Sequence, residues 1–165
     1  MTLTEDTLAT LSTALPRQAC PSEVGIGALV RFRDVPLPVI VTGSDLEGDV
    51  PDLYRVFTWI SQARTSNNKP ILIGQSVPER GETVVLLAHG ETVRADEVRD
   101  GDVLLFEDRD STYGVVVGDP TRPRRGVLDI AWTSGTLPSG MPQTIGFLQK
   151  DPSELVRRAA RGVAL

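Results

Sequence analysis

The chain contains one cysteine and one histidine, Cys20 and His89, the two residue types that pair as nucleophile and base in thiol catalysis. Their surroundings point elsewhere. Cys20 lies in Gln-Ala-Cys-Pro-Ser, where Pro21 follows instead of a helix start, and His89 stands beside Gly90 in a segment that reads as a turn. The expectation is a semi-buried thiol and a turn histidine, with no catalytic residue. Three acids alternate at Asp45, Glu47 and Asp49, as the ligands of a calcium loop do. Gly48 precedes the third acid instead of following it, and Val56 stands where the closing bidentate glutamate belongs. The stretch therefore reads as a solvated acidic loop, and neither metal nor cofactor is expected. Gly25-Ile26-Gly27 lacks the third glycine of a dinucleotide fingerprint, Val30 taking its place, and it enters a strand rather than a helix.

Six arginines could touch phosphate or a partner: Arg122, Arg124 and Arg125 in one loop, and Arg157, Arg158 and Arg161 near the C-terminus. No aromatic stands among them to stack a base, and Asp119, Asp151 and Glu154 are at hand for salt bridges. Nucleic-acid binding is therefore the secondary reading. Trp59 and Trp132 could present rings to a ligand, but a tryptophan on a strand belongs more often to the core. The Tyr113–Val117 strand, with Tyr113, Val115 and Val117, carries no guarding proline. The strand after Pro36 and Pro38 does. This contrast predicts that Tyr113–Val117 is an unprotected edge, open to pairing with another chain.

The elements that would hold these residues are written twice. Glu23-Val24-x-x-Gly27-x-x-Val30-x-Phe32-x-Asp34 returns as Glu97-Val98-x-x-Gly101-x-x-Leu104-x-Phe106-x-Asp108, and the echo continues through Val39–Gly43 and Tyr113–Gly118, Trp59 and Trp132, and Ile73-Gly74 and Ile145-Gly146. Short alternating segments separated by turn residues predict strands, and their repetition predicts two tandem small β-barrels related by internal duplication. Leu8, Leu11 and Leu15 have helical spacing, and Asp151-Pro152-Ser153-Glu154 carries an N-cap, a first-turn proline and a glutamate three residues on. Short helices are thus expected at both ends of a mainly β chain. The expected division is an N-terminal helical arm over 1–20, barrels over 21–80 and 81–150, and a C-terminal helix over 151–165, with a hairpin about Gly90 joining the barrels.

Composition suits a soluble globular protein of 165 residues, 40% hydrophobic and 24% charged. The net charge of −5 is shared evenly: residues 1–80 hold 9 acids and 7 bases, residues 81–165 hold 13 and 10. Neither half is built to hold a polyanion. The longest apolar run, Val84–Ala88, is far short of the roughly 20 residues that cross a bilayer, and the acidic start Met1–Asp6 is unlike a secretion signal. No membrane partner is expected, and the location expected is cytoplasmic, or virion-associated for a phage protein. A lone cysteine leaves stability to packing.

The phrase Val93–Phe106, followed by Tyr113-Gly-Val-Val-Val117 and Asp129-Ile-Ala-Trp-Thr-Ser-Gly135, resembles the small Src-homology-3-like barrels of the KOW and Tudor kind, as they recur in proteins of actinobacterial phages. The basic residues, 15 Arg against 2 Lys, have the same flavour. This resemblance implies a binding scaffold, such as a decoration or connector protein, with a protein partner or a second copy as ligand. The same segment resembles the paired strands of NlpC-type cell-wall peptidases, but Tyr113 occupies the place of that family's catalytic histidine. The combined expectation is a non-catalytic interaction or assembly protein.

Overall fold

Alternating burial along the chain makes strands, and turn glycines end them. The computed structural model describes residues 14–49, 51, 53–64, 70–106, 113–133 and 145–162. These residues are mainly β, in two antiparallel sheets, one curled into a half-barrel. The first sheet comprises β1 (Arg17–Ala19), β2 (Leu29–Arg31), β3 (Val39–Glu47), β4 (Tyr54–Ser61), β5 (Ile73–Ser76) and β6 (Val84–Ala88), in the order β1-β6-β2-β3-β4-β5. The second comprises β7 (Glu91–Arg94), β8 (Val103–Leu105), β9 (Tyr113–Val116), β10 (Thr121–Arg124), β11 (Val127–Thr133), β12 (Ile145–Lys150) and β13 (Leu155–Arg158), in the order β10-β11-β9-β8-β13-β7, with β12 also on β11.

Pairing in the second sheet follows that of the first. Arg17, Gln18 and Ala19 oppose Leu86, Val85 and Val84, as Glu91, Thr92 and Val93 oppose Arg158, Arg157 and Val156. Trp59 lies between Val41 and Gly74, and Trp132 between Val116 and Gly146. In both places a methyl on the glycine would collide with the indole ring, so only glycine lets the tryptophan lie flat across its neighbouring strand. The entry turns match as well. Single 3₁₀ turns at Pro21–Glu23 and Ala95–Glu97 are closed by glutamates that accept the N–H of Cys20 (2.7 Å) and Arg94 (2.8 Å). Gly27 and Gly101 follow at φ of 91° and 84°, a region glycine enters without strain, and their N–H groups donate to Val41 and Val116.

Each sheet covers its own core, the first around Val30, Phe32, Phe57 and Trp59, the second around Leu104, Ile130 and Trp132. Each such large apolar side chain contributes about 1.5–3 kcal/mol on burial. A third cluster joins the sheets: Leu29, Ile40, Leu87 and Ala88 from the first, and Val103, Val115, Ala159 and Ala160 from the second.

Several expectations need correction. The C-terminal segment is strand β13 and not a helix. Its x-x-x-Glu signature closes a tight turn in which Glu154 N–H donates to Asp151 O (3.0 Å), and pairing with β7 then fixes extended backbone. The N-terminal helix, placed on Thr4–Leu15, lies outside the described residues apart from Ala14 and Leu15. Val84–Ala88 and Glu91–Arg94 do not form a hairpin, because β6 pairs with β1 and β2 while β7 pairs with β13. The junction between the sheets therefore falls at residues 89–90, not at 80–81. Among the described strands neither sheet closes on itself, since β1 and β5 end the first. Asp45 and Glu47 belong to β3 rather than to a loop.

Candidate functional site

Gly43 is where the first sheet reaches outward. A Cβ there would press on the Thr58 hydroxyl, and the β3–β4 register shifts between Val41 and Gly43. Before it, Val39–Thr42 are buried; beyond it, Asp45–Glu47 are exposed. The two strands continue as a ribbon, tied across by Arg55 donating to Ser44 Oγ at 2.8 Å. Leu46, Leu53 and Tyr54 stand exposed near its end.

Among the described strands β5 is, with β1, one of the two end strands of the same sheet. Trp59 fixes it from beneath: the indole lies over Gly74, and its Nε1–H donates to Ser76 Oγ (3.0 Å), which in turn donates to the Asp34 carboxylate (3.2 Å). The approach to β5 is pinned too. Ser61 N–H donates to Leu72 O (2.9 Å), Leu72 N–H to Ser61 Oγ (3.0 Å), and Ile71 N–H to Ala63 O (3.1 Å). With the backbone held, the side chains of Ile71, Leu72 and Ile73 still face solvent, as does Val77 beyond the strand. A cleft of about 470 Å³ adjoins this edge, lined by Phe32, Arg33, Asp34, Val77, Glu79 and Glu82.

The residues singled out in the sequence do not converge. Cys20 and His89 are both exposed. Ala19 opposes Val84 at the start of β6, while His89 follows its last residue, so at about 3.3 Å per residue the two lie roughly 15 Å or more apart. Arg122, Arg124 and Arg125 are exposed on β10 and its turn. Arg157 is on the exposed side of β13. Arg158 is buried and donates to Glu91 at 2.7 Å, and Arg161 forks onto Asp102 at 2.9 and 3.0 Å. The six arginines therefore make no common surface. The Tyr113–Val117 strand is not an edge, because β8 and β11 occupy its two sides. Val115 is buried between the sheets, and only Val117 is among the exposed apolar residues.

Local charge is tuned mainly at turns. The N–H of Cys20, and secondarily Arg17, holds the Glu23 carboxyl below its usual range. The Lys150 ammonium does the same for Glu154. Burial pushes the Arg64 guanidinium down. What sequence reasoning missed is the β5 edge. Its signal was present in Pro70-Ile-Leu-Ile-Gly74, where three adjacent apolar residues break the alternation of a half-buried strand. Among the described residues no helix is long and apolar enough to cross a membrane. No family model, no curated protein and no solved structure matches the chain.

Proposed function

We propose that the chain is a non-catalytic interaction and assembly protein, a duplicated pair of Src-homology-3-like barrel modules that binds a second copy of itself or a protein partner along the β5 edge. One observation carries this reading. Among the described residues, seven of the twelve large apolar side chains left exposed (Leu46, Leu53, Tyr54, Ile71, Leu72, Ile73 and Val77) belong to the β3–β4 ribbon and the β5 edge. Their backbone is pinned, so the chain incurs little ordering cost when they are covered, and an unpaired edge offers ladder groups to a partner strand. The strand order supports the module: β2-β3-β4-β5 meander in the first sheet and β8-β9-β11-β12 in the second, where β10 adds a hairpin to β11, and a last strand, β6 or β13, returns to pair with the first of each. A virion shell or connector is the setting that the phage resemblance suggests.

Sedimentation velocity over a hundredfold concentration range tests the reading. The native chain is expected to associate, and Ile71→Asp with Leu72→Asp to remain monomeric at an unchanged melting temperature. A native monomer throughout, together with no adduct from a photo-crosslinker placed at Leu72 in lysate of the source cells, would sink it.

A further inference from the structure

Where the two sheets meet, a cleft of about 310 Å³ opens beside the inter-sheet cluster and is lined by three guanidinium groups, Arg64, Arg99 and Arg161. In a chain of net charge −5 this is a local excess of positive charge, faced among the described residues by the carboxylates of Asp100 and Asp102. Both acids are engaged. Asp102 accepts the Arg161 fork at 2.9 and 3.0 Å and the Arg99 N–H at 2.8 Å. Asp100 Oδ1 accepts the Gly118 N–H at 2.7 Å.

Two of the guanidiniums have no carboxylate partner among the described residues. Arg99 spends Nη1 on the carbonyls of Asp96 and Val98, both at 2.8 Å. Arg64 directs Nη1 at the carbonyls of Ser61 and Ala63, while its buried Nε–H has no acceptor among the described residues. Arg64 is half-buried, with neutral carbonyls and the Tyr113 phenol as its neighbours, and such a cation is under-compensated, since water has been removed and no carboxylate has replaced it. We propose that this cleft binds a phosphoryl group. Three arginines lining one cleft suit a tetrahedral dianion, with its several acceptor oxygens, better than a planar carboxylate, which a single guanidinium fork satisfies. The volume, at the small end of ligand sites, suits inorganic phosphate or a small phosphorylated molecule and not a polymer. Because the cleft is walled by Ile40 of the first sheet and by Val103 and the Ala159–Gly162 tail of the second, a bound anion would bridge the two halves.

The test is a titration of the ¹⁵N-labelled chain with sodium phosphate, with chloride holding ionic strength constant and acetate as a parallel arm. Saturable shifts are expected at the amides of Gly101, Asp102, Ala160 and Gly162, together with a rise in melting temperature. Arg64→Gln should weaken binding by roughly tenfold or more, as loss of a charge-assisted hydrogen bond does. Arg64→Lys, which keeps the charge, should fall between, and Arg122→Gln on exposed β10 should change nothing. Non-saturating shifts, equal affinity in a folded Arg64→Gln, or acetate binding as well as phosphate would each overturn the assignment.

Discussion

At matching places in their ladders the two sheets hold opposite chemistry. Ala28 and Leu86 are buried in the first, and Asp102 and Arg158 are buried in the second. Leu86 opposes Val30 and Arg158 opposes Leu104, so the backbone positions correspond while an apolar contact is exchanged for an ion cluster. Asp102 and Arg158 approach to 4.0 Å, and each has a closer partner, Arg161 and Glu91 respectively. The tryptophans diverge likewise. Trp59 donates to Ser76, whereas Trp132 Nε1–H is buried without an acceptor among the described residues. What the halves share is an indole lying over a glycine and an entry turn whose glutamate accepts a backbone N–H. The lesson is that close packing and backbone-directed turns hold the register in both, while the polar partners of the buried side chains are local additions.

The largest effect should come from breaking the ion cluster. Asp102→Ala takes the carboxylate from Arg161 and leaves the buried Arg158 with Glu91 alone, and a loss of about 3 kcal/mol is expected from denaturant unfolding. Adding Arg158→Leu reproduces the Ala28 and Leu86 arrangement, and most of that loss should return. A double variant as weak as the single one would mean that the halves are not interchangeable there.

Steric equivalence is tested at the two glycines. Gly74→Ala and Gly146→Ala each drive a methyl into an indole and should cost similar amounts, about 1–3 kcal/mol. A loss confined to one half would break the correspondence. The hydrogen bond separates the tryptophans further. Trp59→Phe should cost about 1 kcal/mol more than Trp132→Phe, because only the first strands a buried partner hydroxyl, and the second removes an N–H that had no acceptor. Equal losses on unfolding would assign no weight to the Trp59–Ser76–Asp34 chain.

The smallest effect is on acid stability. The folded Glu23 carboxyl titrates below its unfolded value, so its contribution is present above the ordinary carboxylate range and is lost as pH falls through the lowered value. Glu154 follows the same sign through Lys150. Melting temperature plotted against pH should therefore fall less steeply on the acid side in Glu23→Gln and in Glu154→Gln. An unchanged slope would show that neither turn is held by its charge.

Much of the strand content was legible, because alternation around Val30 and Phe32, or Ile130 and Trp132, has a local cause. The C-terminal strand was not. Leu155, Val156, Ala159 and Ala160 also fit a helical stripe, the turn signature at Asp151–Glu154 serves a helix or a tight turn equally, and an arginine at 158 gives no hint that it points inward. Edges were illegible for a different reason. Whether Tyr113–Val117 or Ile73–Ser76 lacks a neighbour depends on strands distant in sequence, and prolines guard a strand without revealing who lies beside it. The inter-sheet cleft joins Arg64 to Arg161 across nearly a hundred residues, a proximity that no spacing rule contains.

The third apolar cluster sets Leu29, Ile40, Leu87 and Ala88 against residues at the matching places of the other sheet, Val103, Val115, Ala159 and Ala160. Such a surface is complementary to its own likeness. Cleaved between His89 and Gly90, the halves would compete as like and unlike pairs. In the intact chain two residues separate β6 from β7, and so short a tether makes the unlike pair win at any dilution. Neither half can then swing away or melt without stripping the other's covered face, so the molecule should lose its structure in one cooperative step.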